Sequence, residues 1–453
     1  MNGKNIKNLS NLKINLLNVV FLLFPVSFIL GNLFLNLNII ILIMFTYCIF
    51  QNKIFIFKKV LVDKIVFLFF GYIILIAIVN YIETFFFKPI NISAEDIKSI
   101  NFYIGHKSLS FLRYLLLYFV LRYLMEEKIL NLKWFFLTSS FLCLFVAFDV
   151  IYQFFFDKDI FGLIGNRRKL SGPFGDELIA GGYLQRFFLF IVFSIIVYFP
   201  KKINFYFIPF FTLVIFAATI LSGNRMSLVL LILSFLLLFF SEKKIRHYLF
   251  STFIFSVLAF FIIVQNEDVN KNFKNFKREI AQTVSMVYSL NSSKVKLPDH
   301  FMADHYMEFH TFYDTWKMNK YLGGGLRSFR MNCHFRDNTE LYKTSKRYEH
   351  VKVLCNTHPH NYYLEIVTDL GLIGLALSIV LFSLIFYQSF VAKFFFKSKF
   401  FYSETMTLFI FIFITEMFPV KTTGSFFSTN NATFIFLIIP ILVTLSRKKI
   451  AIK

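Results

Sequence analysis

Apolar stretches close to the ~20 residues that a bilayer-spanning helix requires recur along this chain and dictate what it can fold into. They fall near residues 14–31, 33–51, 65–82, 108–125, 134–153, 182–199, 203–221, 226–241, 248–264, 361–390, 401–420 and 432–446. In hydrocarbon a segment must satisfy its own backbone N–H and C=O groups, so such runs become helices. With 57% hydrophobic residues and a mean hydropathy of +0.64, the chain exceeds the apolar content of soluble domains. The expected fold class is an all-α polytopic membrane protein of about 12 transmembrane helices. The first apolar run lacks a small-residue cleavage site and reads as a span, not a removed signal.

The net charge of +22 resembles a nucleic-acid signature only until its distribution is seen. The cations sit loop by loop beside apolar spans, as at Lys58, Lys59 and Lys64, at Lys201 and Lys202, at Lys243, Lys244 and Arg246, and at Arg447 to Lys449. Anionic headgroups are their natural partners, and no nucleic acid is expected. Lys and Arg near span ends mark the cytoplasmic side, which puts both termini inside.

On that topology the extracytoplasmic side receives residues 83–107, 154–181, the turn at Gly223–Arg225 and a long loop between spans 9 and 10. The chain thus divides into spans at 1–264, a large and mainly helical loop at 265–360, and spans at 361–453. Residues 266–290 read as an amphipathic helix, on the membrane or in solvent. Tyr306, Phe309, Tyr313 and Trp316 follow at helical spacing, and Gly323–Gly325 permit close approach of a ligand. Cys333 and Cys355 face an oxidising compartment on this topology, so a disulfide is predicted between them. Cys48 and Cys143 lie inside spans as small apolar residues.

The loop ends at His358-Pro359-His360-Asn361, and nine further residues lead to Gly371, with Gly374 three positions on. This spacing resembles the signature of the bacterial O-antigen ligase and O-antigen polymerase superfamily. LSGNRMSL at 221–228 resembles that family's Ser-x-Arg turn, NRRKLSGPFGDELIAGGYL its earlier arginine and glycine segment, and YLGGGLRSF its glycine step. Relatives commonly carry an arginine before the loop tryptophan, where this chain has His305, Tyr306 and His310.

The resemblance implies a periplasmic active site in the bacterial inner membrane that moves a glycan from a polyprenyl-diphosphate carrier to an acceptor hydroxyl. Arginine binds phosphate bidentately and stays charged at any relevant pH, which nominates Arg167, Arg168 and Arg225 for the diphosphate. A histidine with a pKa near ~6.5 suits proton removal from the acceptor. His360 has the family spacing and is the candidate general base of an inverting displacement. His358, Asn361 and Arg327 are supporting residues, and helix capping is the leading role for Asn361.

The expected activity is that of an O-antigen ligase, with lipid A core as acceptor; the alternative is a polymerase, with a second lipid-linked glycan in that place. No cofactor or metal is expected. A zinc set of Cys355, His358 and His360 matches no standard spacing, and Asp157-Lys158-Asp159 is a minor metal or acceptor signal. A flippase without catalysis is the other class, although no repeat of the kind common in transporters is visible. Asp149, Glu365, Asp369 and Glu416 are ionisable groups near span ends and are expected to pair with the arginines.

Overall fold

The computed structural model describes residues 11–55, 57, 59–86, 94–165, 169–243, 245–290, 304–333, 355, 358–395 and 400–450. The described residues are helical with no β-strand, and one isolated antiparallel bridge joins Lys158 to Ile164. In chain order the helices are α1 (Asn11–Leu22), α2 (Phe24–Leu30), α3 (Asn32–Phe50), α4 (Leu61–Phe86), α5 (Ala94–Glu126) and α6 (Leu132–Phe156). There follow α7 (Ala180–Tyr198), α8 (Lys201–Leu221), α9 (Arg225–Ser241), α10 (Arg246–Ile263), α11 (Glu267–Leu290), α12 (Asp304–Lys317) and α13 (Phe329–Asn332). The last three are α14 (Tyr362–Phe394), α15 (Phe400–Glu416) and α16 (Thr429–Ile450).

Ten of the described helical segments are long and apolar enough to cross a membrane, with α1 and α2 forming one of them across a break at Leu23. Arg225–Ser241 and Thr405–Glu416 are shorter apolar helices where the sequence predicts spans. Pro25 at the start of α2 explains the break after α1, because it has no N–H to give to the preceding turn. Asparagine side chains start several helices by accepting from free N–H groups of the first turn. Asn131 does so for α6, Asn224 for α9 and Asn361 for α14.

The centre of the bundle is built from α16 and α7, whose apolar windows are 89% and 78% buried, while α10 at 17% lies on the outside. Phenylalanines interlock this centre: Phe187 of α7 meets Phe434 of α16 edge-on at 5.7 Å, and Phe136 of α6 meets Phe190 of α7 at 5.3 Å. Phe67, Phe141, Phe210 and Phe253 face outward on other helices. Such a surface is suited to lipid and costly in water.

One end of the bundle is locked by a fully buried ion pair. Arg122 of α5 donates to both carboxylate oxygens of Asp63 at the start of α4, at 3.0 and 3.2 Å, and to Thr444 of α16 at 2.6 Å. Tyr118 also donates to Asp63, and the Val60 N–H caps it at 2.8 Å. The guanidinium and carboxylate thus find their strong partners in α4, α5, α16 and the turn before α4, as a low-dielectric interior demands.

The described parts of the long loop gather at the opposite end. The α11 helix spans most of the stretch read as amphipathic, and Phe273 on it packs against Phe260 of α10. A small satellite core forms where Phe312 of α12 stacks on Phe329 of α13 beside the buried Cys333. Cys333 and Cys355 are bonded, with Cα atoms 5.8 Å apart. The link holds the chain just ahead of His358 against this core.

Candidate functional site

The family-like glycine spacing has a structural cause at the kink in α14. Gly371 adopts φ 67°, which a residue with a Cβ rarely takes, and interrupts the helix one residue after Leu370. Its backbone neighbours then find partners in the long loop. Leu372 N–H donates to the Lys320 carbonyl at 2.9 Å and Ile373 N–H to that of Tyr321 at 3.2 Å, while the Asp369 carbonyl accepts from Gly325 N–H at 2.8 Å. The Leu370 carbonyl accepts from the Tyr72 hydroxyl of α4 at 3.0 Å. Unpaired backbone groups buried here would cost several kcal/mol each, so the glycine run and the helix kink support one another. Gly323–Gly325 therefore admit a neighbouring backbone: a Cβ on Gly323 would overlap the Asp369 carbonyl.

Docking of this run places Arg327 beside the start of α14. Its N–H donates to Asp369 at 2.7 Å and its guanidinium to the Phe427 carbonyl at 2.8 Å. Asn361 caps α14 through its side-chain oxygen, with 3.0 Å bonds from both Tyr363 and Leu364 N–H. Its amide nitrogen reaches across to the carbonyls of Pro419 and Lys421 at 2.8 and 3.2 Å. His360, immediately before the cap, has φ 55°. The rings of His358 and His360 meet edge to face at 4.3 Å.

Beneath this turn lies a charged network that the sequence marks only through Glu416. Arg186 of α7 grips both oxygens of Glu416, at 2.7 and 3.0 Å, and donates to Asn430 and Asn431 at 2.7 and 2.5 Å. Lys421 shares the same carboxylate at 2.8 Å and donates to the Tyr362 hydroxyl at 3.1 Å. Tyr362 in turn donates to Glu416 at 2.6 Å. Burial presses the Lys421 ammonium down to about 8, and Glu416 works against that shift. Glu365, also marked in the sequence, accepts from Ser425 and from Phe426 N–H, both at 2.6 Å.

A cleft of about 350 Å3 opens between α2, α7, α9 and the loop before α16. Its charged lining is Arg186, Arg327, Arg330 and Lys421, opposed by Glu177, and His358 stands at the same wall. The arrangement can hold a multiply charged anion beside an imidazole. His360 is not in this lining and reaches it through His358. Asn224 and Ser227 line the cleft from α9, whereas Arg225 is turned toward α11, its guanidinium 5.6 Å over the Phe276 ring. Arg167 and Arg168 lie outside the described residues.

The remaining sequence candidates hold local structure. Asp159 closes a turn by accepting from Leu163 N–H at 2.7 Å, with Lys158 bridged to Ile164. Asp149 accepts from Ile160 N–H at 2.8 Å. Their bonds go to backbone groups of the loop after α6. Arg186, Arg330 and Lys421 carry no distinguishing sequence signal: Arg186 sits within an apolar run, and Arg330 and Lys421 read as further loop cations.

Fold and site together define an integral membrane protein with a cationic cleft at one end of its bundle. A family model described as O-Antigen ligase matches residues 210–379, so that stretch of the chain is similar to O-antigen ligases. The matched region takes in Arg225, Arg327, His358, His360 and Gly371, and leaves Arg186, Glu416 and Lys421 outside. No curated protein matches the chain.

Proposed function

We propose that this protein is an inverting membrane glycosyltransferase of the O-antigen ligase kind, moving a glycan from a polyprenyl-diphosphate carrier to a hydroxyl of lipid A core on the extracytoplasmic face. The observation that supports it most is the cleft that sets Arg186, Arg327, Arg330 and Lys421 beside the His358–His360 turn. The acceptor hydroxyl gives its proton to His360, the base nominated by spacing, as its oxygen forms a bond to the anomeric carbon. The bond from that carbon to the diphosphate oxygen breaks, and its electron pair leaves with the diphosphate.

Charge builds on the leaving oxygens in this step, so cations fixed in advance stabilise the transition state more than the ground state. Arg186, Arg327 and Arg330 take that role at the cleft, with Arg167 and Arg168 as further candidates, while Arg225 faces α11. His358 stands between the cleft and His360 as a relay or orienting partner. The inner membrane location with both termini cytoplasmic belongs to the same proposal.

Reconstitution with a polyprenyl-diphosphate glycan and either lipid A core or a second lipid-linked glycan tests it. A new glycosidic bond to lipid A core is expected. Product only in the second mixture makes the protein a polymerase, and product in neither removes the transferase assignment.

A further inference from the structure

Lys421 touches both the cleft and the histidine turn. Its side chain lines the cleft, 4% exposed, while its carbonyl accepts from the side chain of Asn361, the residue next to His360. Two buried cations, Arg186 and Lys421, share the single carboxylate of Glu416. Glu365 and Asp369, farther along α14, receive hydroxyl and backbone N–H donors. The wall facing the cleft is thus left with excess positive charge, and a buried charge of this kind is costly unless an anion completes it.

We propose that Lys421 contacts a phosphate group of the substrate and, through Asn361, positions the histidine turn when that phosphate is bound. The ammonium is a compact point charge with three donors, of which Glu416 and Tyr362 occupy two. A phosphate oxygen takes the third. Filling the cleft then loads the loop Met417–Ser428 from one side while its carbonyls hold Asn361 and Tyr363 on the other. The phosphate belongs to the diphosphate carrier or to a phosphorylated acceptor core, and the assignment rests on the glycosyl-transfer reading for that choice of sources.

The test is calorimetric titration of the full-length protein in detergent with inorganic diphosphate, polyprenyl diphosphate, and lipid A core with and without its phosphates. Lys421→Gln is expected to weaken binding of the phosphate-bearing ligand by about tenfold or more, and Lys421→Arg to restore most of it. Displacement of inorganic diphosphate by the polyprenyl ligand assigns the contact to the donor. Displacement by phosphorylated core alone assigns it to the acceptor.

A second measurement does not depend on how well Lys421→Gln folds. Binding of inorganic diphosphate should weaken more steeply above pH ~8 in the wild type than in Lys421→Arg, since an arginine stays charged and the ligand's own ionisation is common to both. Unchanged affinity in Lys421→Gln, identical pH curves, or no phosphate binding by the wild type overturns the proposal. Binding that follows these expectations without glycosidic product in either acceptor mixture removes the transfer reading alone.

Discussion

Arg186 and Glu416 form a two-pronged ion pair, 2.7 and 3.0 Å, that ties α7 to the end of α15 directly beneath the cleft. The pair is nearly enclosed, with side-chain exposures of 11% and 3%. Removing Arg186 leaves Glu416 to Lys421 alone and takes the donor from Asn430 and Asn431, and breaking a buried pair costs up to ~3–5 kcal/mol. Arg186→Ala should therefore lower the thermal unfolding midpoint in detergent and abolish transfer. Arg186→Lys should recover part of the stability, because one ammonium cannot span both oxygens. A midpoint within a degree of wild type for Arg186→Ala would contradict the role given to this pair.

The Gly371 kink predicts a sharp contrast between two glycines. A Cβ at Gly371 would overlap the Tyr321 carbonyl and is disfavoured by φ 67°, whereas one at Gly71, within α4, meets nothing within 4 Å. Gly371→Ala should undock the Lys320–Gly325 run, costing more than ~1 kcal/mol and most of the activity. Gly71→Ala should be neutral or stabilising by up to ~1 kcal/mol. Limited proteolysis of the two variants distinguishes them, with new cleavage in the long loop expected only for Gly371→Ala.

Part of both sites is legible in the amino-acid sequence. The spans, the capping role of Asn361 and the importance of Gly371 are local signals, carried by run length, residue type and spacing. Arg186 is hidden because an apolar window averages over a single cation, and its partners Glu416, Asn430 and Asn431 lie more than two hundred residues away. Glu416 stands out as an ionisable residue at a span end, yet nothing local says which arginine it meets. Arg225 shows the converse. It begins α9 at the expected turn, but helix phase sends its side chain toward Phe276 and leaves Asn224 and Ser227 for the cleft.

The two histidines should separate by kinetics. His360→Ala is expected to reduce transfer by ~10²–10⁴, the usual contribution of a general base, with membrane insertion and protein level unchanged. His358→Ala removes the ring that lines the cleft and should raise KM as well as lower kcat. Full transfer by His360→Ala, with loss confined to His358→Ala, would move the base to His358. Full transfer by both would favour a non-catalytic carrier of lipid-linked glycan.

Lys421 gives the system a pH dependence whose sign is determined by burial. Its ammonium falls from an ordinary value of 10.5 to about 8, so the folded protein holds fewer protons than the unfolded chain between those values. Stability from this group is lowest below pH 8 and rises from there toward 10.5, because the unfolded state binds the extra proton in that window. Activity should run the other way: a neutral Lys421 no longer offsets Glu416 or attracts phosphate, so transfer should decline as pH rises through about 8. In Lys421→Arg that decline should vanish while activity at pH 7 persists, as measured by rates of glycan transfer between pH 6 and ~9.5. A decline that survives in Lys421→Arg would assign it to another group, and unfolding that sets in above pH 8 in the wild type would contradict the sign worked out from burial.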